Sequence, residues 1–519
     1  MNGPHIHPGA NYIEDERGHL INLSYKSVEQ RDALSKTLLT NTQYDNTQPI
    51  HKLSNTSQST TKRVYRHLTS GDMVLMNRQP TLHKPSMMSH TVRVMRGMQW
   101  QTLRMSYANC NSYNADFDGD EMNMHYPQTL HAQAELKYIS NNDNQYLVPT
   151  DGAPLRGLIQ DHVDSGVLLT KLDRLINRHE FTQLLFGAID DIDITMSSYE
   201  IILPVPCLLK PIELWSGKQL VSALLKLLIN NKPLLNLTSK SKVSGTQWAQ
   251  HSYEQNVIFN NGDLLCGVLD KSQFGDASYG LVHACYELYG GILAGDLLST
   301  LGRLFTIDLQ NQGHTCGIDD MFLVKSAEER RTKLINESIE SGINAAKSFV
   351  NMSDNTADDI ISDQQLQSQL RLQLAKEPMN RAKLDGVMKS CMNTYTSSII
   401  STCLPIGQVK SFPDNQMARM ILSGAKGSMV NFSQICCLLG QQELEGRRVP
   451  LTATGRTLPS FRPYDPSPRA GGYVSNRFLT GIRPQEYYFH WYVIYCNITI
   501  INNKYIILTL YFIHIICML

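Results

Sequence analysis

The residues Tyr113-Asn114-Ala115-Asp116-Phe117-Asp118-Gly119-Asp120-Glu121 carry three aspartates at i, i+2 and i+4. In an extended chain that spacing sets all three carboxylates on one side. Gly119 lets the backbone bend tightly, so the oxygens can converge. Three carboxylates held that close cannot all remain ionised without a counter-charge. A hard divalent cation with oxygen ligands is the natural partner, and Mg²⁺ suits a site that must also hold phosphate. A calcium-binding EF-hand loop also starts Asp-x-Asp-x-Asp, but it needs Gly at position six and Glu at position twelve. Counted from Asp116, those positions are Glu121 and Pro127, so that reading fails. A solvated acidic turn remains the competing explanation of the spacing alone.

The neighbourhood bears on that choice. Between Thr61 and Arg104 stand eight basic residues (Lys62, Arg63, Arg66, Arg78, Lys84, Arg93, Arg96 and Arg104) against one acid, Asp72, a local balance of +7. A solvated basic face is the plain reading. A basic stretch running into a carboxylate triad is also what metal-assisted phosphoryl transfer on a polyanion requires, with cations on backbone phosphates and carboxylates on the metal. The whole chain hides this: 47 Lys and Arg against 47 Asp and Glu give a net charge of +0.

The elements that must hold these residues follow from the rest of the chain. At 519 residues it exceeds one core and suggests roughly three domains. Hydrophobic content of 42% with 18% charged excludes wholesale disorder and fibrous classes. Residues 40–61 are rich in Asn, Thr, Ser and Gln and read as a loop or insertion. Period-2 runs at His90–Val94 and Thr102–Met105 predict short strands in a β-rich unit over 63–126. Residues 128–315 mix short apolar runs with a helical stretch at Ser222–Ile229, an α+β unit. Ser326 with Glu329 fits a capping box, and Ile335, Ile339, Ile343, Ala346 and Val350 recur at helical spacing. A second helical stretch at Gln364–Leu374 across a polar tip predicts a helical hairpin. The 11 cysteines include no Cys-x-x-Cys pair, so no zinc site is expected in this segment and the thiols read as reduced, buried side chains.

The septapeptide Asn114–Asp120 resembles the metal-binding signature of the largest subunit of multisubunit, DNA-dependent RNA polymerases. Asn77-Arg78-Gln79-Pro80-Thr81-Leu82-His83 looks like a second block of that family. The similarity continues through Gly157–Asp161, Leu214–Gln219, Ser423–Ser428, Gly440–Gln442 and Pro484–His490, and so covers about residues 1–490. Tyr107–Tyr113 and Gly313–Asp320 resemble the RNA polymerase I form.

The resemblance implies an α+β fold in five parts. Residues 1–127 would form part of a double-psi β-barrel active-site domain with an insertion at 40–61. Residues 128–315 would be a pore domain, 316–445 a funnel domain with the helical hairpin, and 446–490 the approach to a bridge helix. Asp116, Asp118 and Asp120 would hold the catalytic Mg²⁺ at the RNA 3′ end, and a second Mg²⁺ would arrive with the nucleoside triphosphate. Arg78 and Asn114 match positions that meet the incoming ribose, and Lys426 matches a position near the triphosphate. The implied function is DNA-templated nucleotidyl transfer in ribosomal RNA transcription, in the nucleus and within it the nucleolus. The implied partners are the DNA template, RNA, the triphosphates, the second-largest subunit and other polymerase subunits.

The pattern departs from the family at both ends. The family's clamp is missing before Met1, and Trp491-Tyr492-Val493-Ile494 replaces its continuation after His490. Residues 491–519 form a non-family apolar tail with nine Ile and a single charge, Lys504. Its longest uncharged run, Tyr505–Leu519, is 15 residues, short of the roughly 20 that span a membrane. Read-through into A/T-rich non-coding sequence accounts for it better. The chain therefore reads as an internal fragment or incomplete gene model, expected to be inactive when isolated. A truncated interaction module, inactive and subunit-bound or membrane-tethered, is the alternative.

Overall fold

The structure is a computed structural model that describes residues 10–14, 19–39, 63–95, 97, 99–189, 203–229, 232–249, 252–350, 363–376, 378–444 and 446–502. The expected insertion at 40–61 and the tail beyond 502 lie outside the described residues. The chain divides into two compact units, residues 1–157 with 288–295, and residues 158–287 with 296–519.

The first unit holds two small antiparallel sheets. Strands β1 (Ala10–Glu14), β2 (Leu20–Asn22) and, after helix α1 (Val28–Leu39), β3 (Arg63–Arg66) pair in the order β2-β1-β3. Strands β4 (Met73–Asn77) and β5 (Met87–Thr91) form a second sheet with β6 (Asn123–His125), which follows the short helix α2 (Cys110–Tyr113). In β4 the alternating Val74 and Met76 face a core shared with Met88 and Tyr113. The register Asn77↔Asn123 matters most, because it brings the residue after β4 beside the loop before β6. Helix α3 (Leu130–Tyr138) packs against β4 and is capped by the Thr129 hydroxyl, which accepts from the Ala132 N–H. The expected strand at Thr102–Met105 does not form. That segment finds no strand partner among the described residues, whereas β5 is paired along its length with β4.

The second unit mixes helices with short strands. Helix α4 (Asp161–Thr170), β7 (Leu175–Ile176), α5 (Arg178–Ile189), β8 (Trp215–Ser216) and α6 (Gly217–Ile229) come first. In α6, Leu220, Val221, Leu224, Leu225 and Ile229 share one buried face, as the helical spacing requires. A sheet of β9 (Leu237–Lys240), β10 (Asn256–Asn260) and β11 (Asp263–Cys266) packs on it, with α7 (Gly245–Trp248) between β9 and β10. Then follow α8 (Lys271–Phe274), α9 (Leu281–Tyr289) and α10 (Gly291–Gln312), of which residues 288–295 count with the first unit.

The long helices differ from the expected hairpin. Helix α11 (Lys325–Phe349) is followed by α12 (Asp363–Lys376) and α13 (Pro378–Cys403). The antiparallel partner of α11 is α13: the Val324 N–H donates to the Gly407 carbonyl at 2.9 Å near one end, and Ser341 Oγ lies 3.3 Å from Cys391 Sγ midway. Near the other end Val350 joins a cluster with Leu366, Leu370 and Leu384, so α12 packs as a third helix. The capping box is also displaced. Helix α11 starts at Lys325 with Val324 as its cap, and no side chain bonds there. The tertiary bond to Gly407 fixes that start, and Ser326 falls inside the first turn.

Helices α14 (Gln416–Leu422) and α15 (Met429–Cys436) complete a core of Met392, Ile399, Cys403, Phe432, Cys436, Cys437 and Tyr473. Helix α16 (Pro484–Asn502) runs through His490 without a break, so the loss of family resemblance there is not a loss of helix. Among the described residues no helix is long and apolar enough to cross a membrane. The described cysteines are free thiols; Cys110, Cys285, Cys403, Cys436 and Cys437 are buried as expected, but Cys207 and Cys316 are exposed.

Candidate metal centre

The aspartate loop hangs between α2 and β6. Helix α2 ends at Asn114, whose φ of 48° and ψ of 43° put it in the left-handed region that ends helices. The Ala115 N–H donates back to the Cys110 carbonyl at 3.0 Å, which fixes the exit of the chain. Gly119 takes φ 116°, a conformation that a side chain resists, with nothing within 4 Å of where a Cβ would stand. Gly119 is therefore needed for backbone conformation, not for space.

In this loop Asp116, Asp118 and Asp120 each offer a carboxylate oxygen, and these oxygens all lie within 4.8 Å of one another. All three residues are exposed. The Asp116 N–H donates to Asp120 Oδ2 at 3.1 Å, folding the loop on itself. Arg78, the residue after β4, places Nε 2.9 Å from the same Oδ2. Its Nη1 donates to the Tyr113 carbonyl at 3.3 Å. One guanidinium thus ties the last carboxylate of the loop to its root.

The electrostatics are unbalanced. The Asp116 N–H and then Arg78 hold Asp120 below the ordinary carboxylate range. Asp118 is pushed up, first by its hydrogen bond with Asp116, then by that residue's charge, some burial and Asp120. One cation faces three carboxylates. That donor set, all oxygen and in excess of negative charge, fits a hard divalent ion such as Mg²⁺.

A second layer supports the loop from beneath. The Tyr113 ring is buried in the first-unit core. Its hydroxyl lies 2.7 Å from His90 Nε2 on β5. Burial, and then Arg156, hold His90 down to about 4, so its ring is neutral. Burial pushes the Tyr113 phenol up, so it keeps its proton and the contact joins two neutral groups. Neither residue stood out in the sequence as a support. Tyr113 was visible only as the residue before the septapeptide, and the β4–β5 pairing that delivers His90 is not a local signal.

The structure brings Arg78 to the three aspartates and sets Asn114 at the root of their loop with an exposed side chain. Lys426 belongs to the second unit, exposed in the turn between α14 and α15, where its N–H donates to the Met420 carbonyl at 3.2 Å. The basic stretch is partly engaged. Arg66 pairs with Asp72 at 2.8 Å, Arg63 with Glu14 at 3.5 Å, and Arg104 stacks 3.9 Å over the Trp100 ring. Lys84 and Arg93 are exposed.

Three consecutive family models match the chain: RNA polymerase Rpb1 domain 2 over residues 1–142, domain 3 over 145–321 and domain 4 over 361–474. The carboxylate loop falls inside the first match. The chain belongs to the largest-subunit family of DNA-directed RNA polymerases. It is 50% identical to DNA-directed RNA polymerase I subunit rpa1 of Dictyostelium discoideum over 94% of its length, covering 29% of that relative. It is 47% identical to DNA-directed RNA polymerase I subunit RPA190 of Saccharomyces cerevisiae, over 94% of the chain and 28% of the relative. Against DNA-directed RNA polymerase III subunit rpc1 of D. discoideum the identity is 33%, over 94% of the chain and 30% of the relative. The two D. discoideum comparisons differ by 17 points of identity, 50% against 33%, which bears out the resemblance to the polymerase I form. The chain spans under a third of the length of these RNA polymerase relatives.

Proposed function

We propose that this chain is the catalytic segment of an RNA polymerase I largest subunit, and that it serves Mg²⁺-dependent, DNA-templated nucleotidyl transfer in ribosomal RNA transcription. The observation that carries the proposal is the convergence of three carboxylates within 4.8 Å beside a single arginine. Asp116, Asp118 and Asp120 would hold the ion. A magnesium ion there supplies Lewis-acid activation of the RNA 3′-hydroxyl and neutralises charge at the α-phosphate, with a second ion carried in by the triphosphate. The chain's own part is positional. The Asp116 N–H and then Arg78 favour the ionised form of Asp120, and Tyr113, held by Arg78 and His90, anchors the loop.

The exposed Asn114 and the adjacent Arg78 would meet the incoming ribose, where a 2′-hydroxyl distinguishes a ribonucleotide. Lys426 would lie near the triphosphate. In this reading residues 1–127 supply part of a double-psi β-barrel, 128–315 a pore domain, 316–445 a funnel domain and 446–490 the approach to a bridge helix. The mixture of small sheets with long helices supports that reading. The working partners are the DNA template, RNA, nucleoside triphosphates, the second-largest subunit and other subunits. The compartment is the nucleus, and its nucleolus for ribosomal RNA. Identity to polymerase I relatives over 94% of the chain speaks against the alternative of an inactive interaction or membrane-tethered product.

The test is elongation by a polymerase complex whose largest subunit carries Asp118→Ala. Assembly should persist and nucleotide addition should be lost. Preserved elongation would refute the metal role.

A further inference from the structure

A second reactive constellation lies in the second unit. Cys316 sits in the loop between α10 and the single turn Ile318–Met321, and is exposed. His314 Nε2 lies 3.7 Å from its Sγ. On the other side of the ring, His314 Nδ1 is 3.0 Å from Asp164 Oδ2. Asp164, on α4, is buried, and Arg419 of α14 grips it with both Nε–Oδ1 and Nη2–Oδ2 at 3.0 Å.

Hydrogen counting fixes the tautomer. Arg419 Nη2 carries two hydrogens. One goes to Asp164 Oδ2 and the other to Gln416 Oε1. None remains for His314 Nδ1, although Nη2 lies 3.2 Å from it. An ionised carboxylate can only accept. So Nδ1 carries the imidazole proton and donates to Asp164, and Nε2 turns its lone pair to the thiol. The order is nucleophile, base, orienting carboxylate.

Cys207 gives the contrast. It is also exposed, but its thiol donates to the Leu214 carbonyl at 3.2 Å. A carbonyl cannot take up a proton at neutral pH, whereas an imidazole can.

We propose that Cys316 is a thiol-modification site that exchanges with a small disulfide, with His314 as its base. The Sγ–H proton passes to His314 Nε2 as Sγ attacks one sulfur of the disulfide. The old S–S bond breaks and a Cys316–S–S–R bond forms. The departing sulfur leaves as a thiolate, takes the proton back and is released as a free thiol. Cys316 is oxidised by the disulfide and the leaving sulfur is reduced, so no further reactant is needed. The inference does not depend on the carboxylate loop.

The setting makes the base necessary. Burial, and then Asp320 and Asp164, push the thiol up from its ordinary value, while Arg419 pulls it down. The thiol is therefore protonated at neutral pH, and its rate depends on a base within reach. The groups facing the pair are Asp164 from α4, Arg419 and Gln416 from α14, and Asp320 from the turn that follows.

The experiment treats the full chain with glutathione disulfide at pH 7 and follows each cysteine by peptide mass spectrometry. Cys316 should gain the adduct roughly 10-fold faster than Cys207 or more. His314→Gln should bring Cys316 to within about 2-fold of Cys207 and leave Cys207 unchanged, since only the general base is removed. The unsubstituted chain gives an independent reading that does not rely on the variant folding. Cys316 and Cys207 are compared within that one sample, so the ratio of their rates stands whether or not the variant folds. A Cys316 rate equal to that of Cys207, or full reactivity in His314→Gln, would each overturn the proposal.

Discussion

Acid should loosen the sheet beneath the carboxylate loop through His90. The ring is held neutral in the folded chain, with its pKa brought down to about 4 by burial and then by Arg156. In the unfolded chain a histidine titrates at about 6.5. The folded pKa is the lower one, so the unfolded state binds the proton first. The contribution to stability is fully present above about pH 6.5 and is lost as pH falls toward 4. The full span is about 3.4 kcal/mol, and at pH 5 about 2 kcal/mol of it is gone. Amide hydrogen exchange at Met73–Asn77 and Met87–Thr91, corrected for the intrinsic pH dependence of exchange, reads the local opening free energy. It should fall by about 2 kcal/mol between pH 7 and pH 5. His90→Gln keeps a hydrogen-bonding group for the Tyr113 hydroxyl but does not titrate, so its drop should be less than about 0.5 kcal/mol. The same drop in the variant as in the parent would show that another group drives the loosening, and the account of His90 would be wrong.

Other substitutions test the packing. Gly342 lies in α11 where an added Cβ would stand 2.2 Å from Pro468 Cγ and 3.2 Å from Met392 Cε. Helix propensity favours Gly342→Ala by about 1 kcal/mol, but overpacking costs about 1–3 kcal/mol. Urea unfolding should therefore show a net loss, and a gain would mean that α11 and the segment at Pro468 are less closely apposed. Arg419→Met strands the buried Asp164 carboxylate and should destabilise the second unit by about 3–5 kcal/mol. Adding Asp164→Asn should restore part of that loss in the same urea experiment, whereas additive losses would argue against a paired charge. Asp72 is held down to about 2, chiefly by Arg66 and the Thr69 N–H. Its folded pKa is depressed, so the stability it lends is present above about pH 3.9 and falls away toward pH 2. Arg66 is 41% exposed, so water screens the pair and the loss should be about 1 kcal/mol. Acid unfolding of Asp72→Asn should lack that step.

The carboxylate loop was legible because it is contiguous: three aspartates and one glycine within five residues state both the charge problem and the turn that creates it. Arg78 is one of eight basic residues in its stretch, and only the resemblance singles it out for the site. Its physical reason is the Asn77↔Asn123 register, a pairing across 46 positions that no local pattern announces. Helix α13 went unread although its signal was present, with Met388, Met392, Ile399 and Cys403 buried on one face at near-helical spacing. Polar residues between them masked the stripe. Ser326 and Glu329 had the right spacing for a capping box, but the bond from Val324 to Gly407 set the start of α11 instead. Thr102–Met105 had the alternation of a strand without a partner to pair with. In each case a long-range contact decided what local pattern left open.

The most direct test of the central claim is metal binding by the carboxylate loop, read by paramagnetic resonance of Mn²⁺ as a substitute for Mg²⁺. The chain should show one site that Mg²⁺ displaces, and Asp118→Asn should weaken it by at least about 10-fold. Asp319→Asn, an acid of the second unit engaged by Lys410, should leave that site unchanged. Equal weakening by both substitutions, or by neither, would contradict the assignment of Asp116, Asp118 and Asp120 as the metal ligands.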